Sequence, residues 1–169
     1  MDSASAGVVV KVSRLAPEGQ GIAYEASSPK VIFVAHAVPQ DELEVALGLA
    51  KSSFAQARIL KVINPGPERI EPRCALHFSP ERSGPACGGC DWQQLGYEAQ
   101  LRHKRELVID CLSRIAKIRD FPVAGTVPSP LDWAYRNKVQ VPFGRDDKGS
   151  LVAGFYEAGS HRIDDFDAC

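Results

Sequence analysis

The chain has 169 residues, 44% of them hydrophobic and 24% charged, an ordinary globular composition that excludes a disordered tail, a collagen-like repeat or a long coiled coil. No run approaches the roughly 18 apolar residues of a membrane span, and Met1-Asp2-Ser3-Ala4-Ser5 lacks the basic start and apolar core of an export signal; the expectation is a cytoplasmic, monomeric protein with no membrane partner. The formal net charge of −1 leaves any affinity for nucleic acid to local faces rather than to bulk charge.

The first stretch reads as all-β. Val8-Val9-Val10-Lys11-Val12 is β-branched and stops at Leu15-Ala16-Pro17-Glu18-Gly19, and Gly21-Ile22-Ala23-Tyr24 resumes after a turn that suits positive φ. Lys30 to Ala37 is a third strand. Glu42 to Leu49 opens with the polar–apolar alternation of a half-buried fourth, and Phe54 to Ile63 forms a fifth that ends at Asn64-Pro65-Gly66-Pro67. Five short strands with Gly and Pro turns predict a small barrel of oligonucleotide-binding (OB) type over residues 1–64. Residues 65–96 are rich in Pro, Gly and Cys and lack periodicity, so something other than an apolar core must hold them. Gly96 to Ile118 reads as a helix, with Leu101, Val108, Cys111 or Leu112, Ile115 and Ile118 as its inward face. Trp133 to Phe143 reads as a strand, Gly144 to Gly149 as a polar hairpin turn, and Leu151 to Tyr156 as the return strand. The predicted fold is therefore mainly β with one long helix: an OB-like barrel, then a small α+β domain over 65–169.

Four of the five cysteines are the sharpest feature. Cys87-Gly88-Gly89-Cys90 is a C-x-x-C knuckle whose two thiolates can share one metal centre, while its glycines allow a tight turn and offer N–H groups to sulfur. Cys74 lies across a Pro/Ser/Gly loop that can bring a third thiolate round, and Cys169 is placed to supply a fourth. A disulfide set does not fit a chain without an export signal, and a redox pair lacks its βαβ context. Spacing alone leaves zinc and an iron–sulfur cluster open and favours zinc. Cys111, on the apolar helix face, reads as a core thiol.

Arg73-Cys74, Cys87-Gly88-Gly89-Cys90-Asp91-Trp92-Gln93-Gln94 and Leu95 to Lys104 together resemble the iron–sulfur segment of bacterial RNA uracil-5-methyltransferases. Trp133-Ala134-Tyr135-Arg136-Asn137-Lys138-Val139-Gln140, with Gly154-Phe155-Tyr156 and Ser160-His161, resembles the central domain of that family, and the barrel with Gly19-Gln20-Gly21-Ile22-Ala23 looks like its RNA-binding TRAM domain. The resemblance implies a 4Fe-4S cluster on Cys74, Cys87, Cys90 and Cys169, and this reverses the preference for zinc. The loop from Ala75 to Ala86 is longer than in the best-known members and reads as an insertion. Family members continue into a Rossmann-type domain that binds S-adenosylmethionine and carries the nucleophilic cysteine. No matching segment stands in these residues, so the expectation is the RNA- and cluster-binding portion of a methyltransferase of the 23S ribosomal RNA type, not catalytic by itself.

Candidate RNA contacts follow from residue type. Arg136 and Lys138, expected on one face of a strand whose valines pack inward, suit a phosphate backbone. Arg102, Lys104 and Arg105 open the helix near the cysteines, where an anionic partner would relieve their awkward position at a helix N-terminus. On the barrel, Tyr24 is a stacking candidate with Lys11 nearby; Phe33 and Phe54 read first as core. Asp164, Asp165 and Asp167 read as facing water, and His36 and His161 show no ligand or triad spacing. The alternative from a different class is a stand-alone zinc-bound RNA-binding adaptor.

Overall fold

The computed structural model describes residues 7–24, 30–82 and 86–165. Five strands form the first half: β1 (Val8–Leu15), β2 (Gly21–Tyr24), β3 (Val31–Val34), β4 (Glu42–Ala50) and β5 (Phe54–Asn64). They close into a barrel in the order β1-β2-β3-β5-β4, antiparallel throughout except where β3 runs parallel to β5. Alternation decides which side chains fill it: Val10, Val12, Ile32, Val34, Leu43, Val45, Ala55, Ala57 and Ile59 are buried, while Lys11, Gln56 and Arg58 between them are exposed. The expected turn forms with Gly19 at φ 85°, a conformation that costs a side-chain-bearing residue more.

Asp41, fully buried at 0% exposure, ties the barrel to the chain that leaves it. Its carboxylate accepts the backbone N–H of Val38 at 2.7 Å and of Gly66 at 2.8 Å. It also receives Arg69, whose Nη2 lies 2.6 Å from Oδ2 and reaches the His36 carbonyl at 2.9 Å. Gly66 must lack a side chain, since a Cβ there would stand 2.3 Å from the Pro39 carbonyl oxygen.

The helix α1 (Tyr97–Asp110) runs on into a π-helical turn at Cys111–Ile115. Its inward face is not the expected apolar stripe: Val108 is 48%, Ile115 69% and Ile118 47% exposed. The helix instead turns Ala99, His103, Leu107 and Asp110 inward. Gln100 donates to the Leu95 carbonyl, His103 reaches Glu68, and Asp110 meets Arg14 of β1 at 3.5 Å. Polar docking hid this face from a reading based on hydrophobic period.

Three short strands make a second sheet in the order β6 (Phe143–Arg145), β7 (Leu151–Tyr156), β8 (Ile163–Asp165). Of the expected strand over 133–143 only Phe143 is in a strand, and β6 takes its other two residues, Gly144 and Arg145, from the expected turn; β7 pairs with β6 only from Leu151 to Ala153 and gives its remaining residues to β8. Residues 133–142 are irregular, and Val139, expected to pack inward, is 55% exposed. The polar turn before β7 is shorter than expected and starts at Asp146, whose Oδ1 accepts the N–H of Lys148 and Ser150. The chain divides into two compact units, residues 1–70 with 94–128 and residues 71–93 with 129–169. The helix thus groups with the barrel, and the cysteine loop with the second sheet, a different division from the sequential one at residue 64.

Candidate functional site

The cysteine knuckle is built onto the second sheet. Cys87 bridges Glu157, Gly88 N–H donates to the Tyr156 carbonyl at 2.8 Å, and Ala158 N–H donates to the Ala86 carbonyl at 2.9 Å. Gly89 lies against the ring of Phe155: a Cβ on it would come within 2.8 Å of the Phe155 Cδ2. Cys74 is positioned from the other side of the loop, its N–H donating to Gln93 Oε1 at 3.1 Å. Its neighbour Arg73 stacks over Trp133, 5.0 Å from the ring centroid.

The electrostatics of Cys87 depart from those of an ordinary thiol. Burial pushes the Cys87 thiol above its ordinary value; negative charge at Asp164, Cys90 and Cys74 acts in the same direction, while a Gly89 N–H to its sulfur acts in the opposite one. An N–H aimed at sulfur is a contact that a thiolate-bound metal centre would use. Among the described residues no three His, Cys, Asp or Glu side chains are already drawn together as a metal-holding group. Cys169 lies outside the described residues, as does Asp167. Asp164 does not face water as expected: it pairs with Arg82 at 3.2 Å, and its side chain is 15% exposed.

Beside the knuckle the second unit holds an open cleft of about 390 Å³ lined by Arg136, Lys138, Val139, Gln140 and Phe155. Arg136 also lies over the Tyr135 ring, 5.8 Å from its centroid. Arg136 and Lys138 therefore share a cleft rather than a strand face. Among the described residues neither pairs with a carboxylate, unlike Arg69, Arg82, Arg102 and Arg114.

The other expected contacts are dispersed. Arg102 and His103 both engage Glu68, the anionic partner that relieves cations in the first turns of the helix, and His103 Nδ1 lies 2.8 Å from Glu106. Arg105 donates to the Val123 carbonyl, and Lys104 is exposed. On the barrel, the register sets Lys11, Tyr24, Val31 and Phe54 side by side on its outer surface. Phe33 and Phe54 also point outward rather than into the core, edge to face at 5.8 Å, with Lys51 over Phe54. Phe155 and Gln140 were not among the expected contacts, although both lie in the motifs that carry the family resemblance; neither is charged, and the expected contacts were chosen chiefly by charge.

Many proteins match nearly the whole chain. One from Synechocystis sp. is 35% identical, one from Halalkalibacterium halodurans 37% and one from Gloeobacter violaceus 38%, each over 96% of this chain. The relatives are named RNA methyltransferases. Each carries that name as an uncharacterised member, and this chain spans only about a third of its length, 33%, 33% and 34% respectively. Among solved structures, a Pyrococcus abyssi tRNA (uracil-54, C5)-methyltransferase in complex with S-adenosyl-L-homocysteine shares the fold with a TM-score of 0.56, at 23% identity, over 99% of this chain and 33% of that one. No protein-family model matches. The matched stretch spans nearly all of the residues that form the barrel, the helix and the second sheet, and no helix of the described residues is long and apolar enough to cross a membrane.

Proposed function

We propose that this chain is the RNA-binding and cluster-binding portion of an RNA uracil-5-methyltransferase, with ribosomal RNA as the substrate class. The observation that carries the reading is the match over nearly the whole chain to proteins named RNA methyltransferases. In this reading the barrel is a TRAM domain that meets RNA with its outer face, through Tyr24 and Lys11. Arg136 and Lys138 hold phosphates in the cleft of the second unit, and Lys104, Arg102 and Arg105 add charge along α1. Methyl transfer from S-adenosylmethionine to uridine C5 belongs to a catalytic domain outside these residues, and the chain acts as a monomer.

Cys74, Cys87 and Cys90, with Cys169 as fourth ligand, would hold a 4Fe-4S cluster. A cluster with four thiolates has no open coordination position for substrate, so it supplies cross-linking of the cysteine loop rather than chemistry on the uridine. The chain's own part is to present the thiols: Gly89 N–H supports Cys87, and Gln93 anchors Cys74. Anaerobic purification tests this. A brown protein with iron and sulfide, lost in Cys90→Ala, is the expected result. A colourless protein with one zinc per chain overturns the cluster and favours the zinc-bound adaptor.

A further inference from the structure

We infer that the cleft beside the knuckle is a nucleotide pocket in which one unpaired base of bound RNA stacks on Phe155 while Arg136 and Lys138 hold its flanking phosphates. The inference rests on the proposed RNA-binding reading and names the site where a single nucleotide is seated.

Four observations carry it. The cleft's volume, about 390 Å³, lies in the range of roughly 300–1,000 Å³ typical of small-ligand sites. Its lining joins the three chemistries a nucleotide needs: two cations not paired with carboxylates among the described residues, an aromatic ring, and the Gln140 amide, which can both donate to and accept from a base edge. Arg136 is steadied on Tyr135 at 5.8 Å, so less side-chain freedom is lost when it meets a phosphate. Finally, the Phe155 ring is backed by Gly89, where even a methyl group would collide at 2.8 Å. A ring wedged against the knuckle backbone is a fixed floor, and stacking on a fixed ring costs less ordering than on a mobile one.

That backing makes Gly89 a positioning residue. It holds the stacking floor from behind, within the same turn that carries Cys87 and Cys90. A methyl group at Gly89 would force the Phe155 ring to shift, disturbing the pocket without removing a thiol or a cation.

The test uses the full chain, purified anaerobically, and a single-stranded RNA oligonucleotide carrying 2-aminopurine beside uridines. Binding by the parent chain quenches the 2-aminopurine fluorescence, because stacking on an aromatic ring does so. Phe155→Leu keeps the apolar packing against Gly89 but removes the aromatic face; it should retain metal content and far-ultraviolet dichroism, lose the quench, and bind about tenfold more weakly, as expected for one base–aromatic stack. Gly89→Ala should weaken binding in the same direction. Lys138→Ala should lower the salt dependence of binding by about one unit of slope, the signature of one lost phosphate contact. A uridine monophosphate competitor should outcompete inorganic phosphate. An undiminished quench in Phe155→Leu, or equal competition by phosphate alone, overturns the nucleotide pocket while leaving RNA binding intact. Absence of RNA binding by the parent chain overturns the RNA-binding reading itself.

Discussion

Asp41 shows how much of this fold hangs on single side chains. A fully buried carboxylate loses its hydration, and only complete pairing offsets that cost. Here it accepts from two backbone N–H groups and from Arg69, whose own side chain is 12% exposed. Asp41→Ala would leave Arg69 buried without a counter-charge and two N–H groups without acceptors. The expected cost is about 3–5 kcal/mol, read as a lowered urea midpoint for the barrel; a loss under about 1 kcal/mol, the ordinary scale of a surface pair, would contradict the hub. None of this was legible in the sequence. The partner lies 28 positions away, and an Asp among Pro39, Gln40 and Glu42 looks like any turn residue. The cysteine knuckle, by contrast, was legible because both residues of its turn are local. The cleft was legible only in part: Arg136 and Lys138 stand out by charge, whereas Phe155 acquires its place through Gly89, which is far away in sequence.

At the scale of elements, the five barrel strands follow from alternation and turn residues, since period-2 patterning and Gly or Pro breaks act locally. The helix follows in extent but not in orientation. Its apolar stripe predicts a different buried face from the one that docks, which runs through His103, Glu68, Asp110 and Arg14. Period counts cannot find a face held by ion pairs. This docking carries a pH signature. Burial alone would raise the Glu68 carboxyl, but hydrogen bonds from His103 and Arg102 outweigh it and hold it below its ordinary 4.5. Arg114 likewise holds Asp110 below 3.8. Both groups have folded values below their unfolded ones, so the native state releases protons that the unfolded state keeps in acid. Their stabilisation is therefore complete above the unfolded values and disappears as pH falls through the folded ones. Glu68→Gln should be less stable than the parent chain at pH 7, and the gap should shrink in acid as the native carboxylate becomes protonated below 4.5. Urea midpoints of both proteins at neutral and acid pH measure this; an equal gap at the two would contradict the assignment.

The two units differ in what can hold them together. Nearly all fully buried apolar side chains belong to the barrel unit: Val12, Ile32, Val34, Leu43, Val45 and Leu95 are each at or below 2% exposure. In the second unit only His77, Ala86 and Gly154 are buried among the described residues, while Phe143 at 72% and Leu151 at 69% stand in solvent. A sheet with strands of three, six and three residues over so small a core cannot offset the entropy of ordering its loops. The sequence anticipated this for the part of residues 65–96 that lies in the second unit, 71–93, from its lack of periodicity, but not that Gln94 and Leu95 are buried in the barrel unit. It missed that the same shortage extends through residues 133–142, because charged and apolar residues alternate there in a strand-like way without a partner strand to use them. A metal on the cysteines would supply the cross-link, since binding free energy at a site absent from the unfolded chain becomes folding free energy. The Gly88–Tyr156 and Ala158–Ala86 hydrogen bonds would be the first to feel its loss, being the stitches between knuckle and sheet. Removing metal from the purified chain with a chelator should therefore speed amide exchange at Gly88, Ala158 and along β7 by at least tenfold, while the amides of β1, β4 and β5 keep their protection. Hydrogen exchange read by mass spectrometry separates the two regions. Equal loosening of barrel and sheet, or none in either, would mean that the thiols are not what holds the second unit.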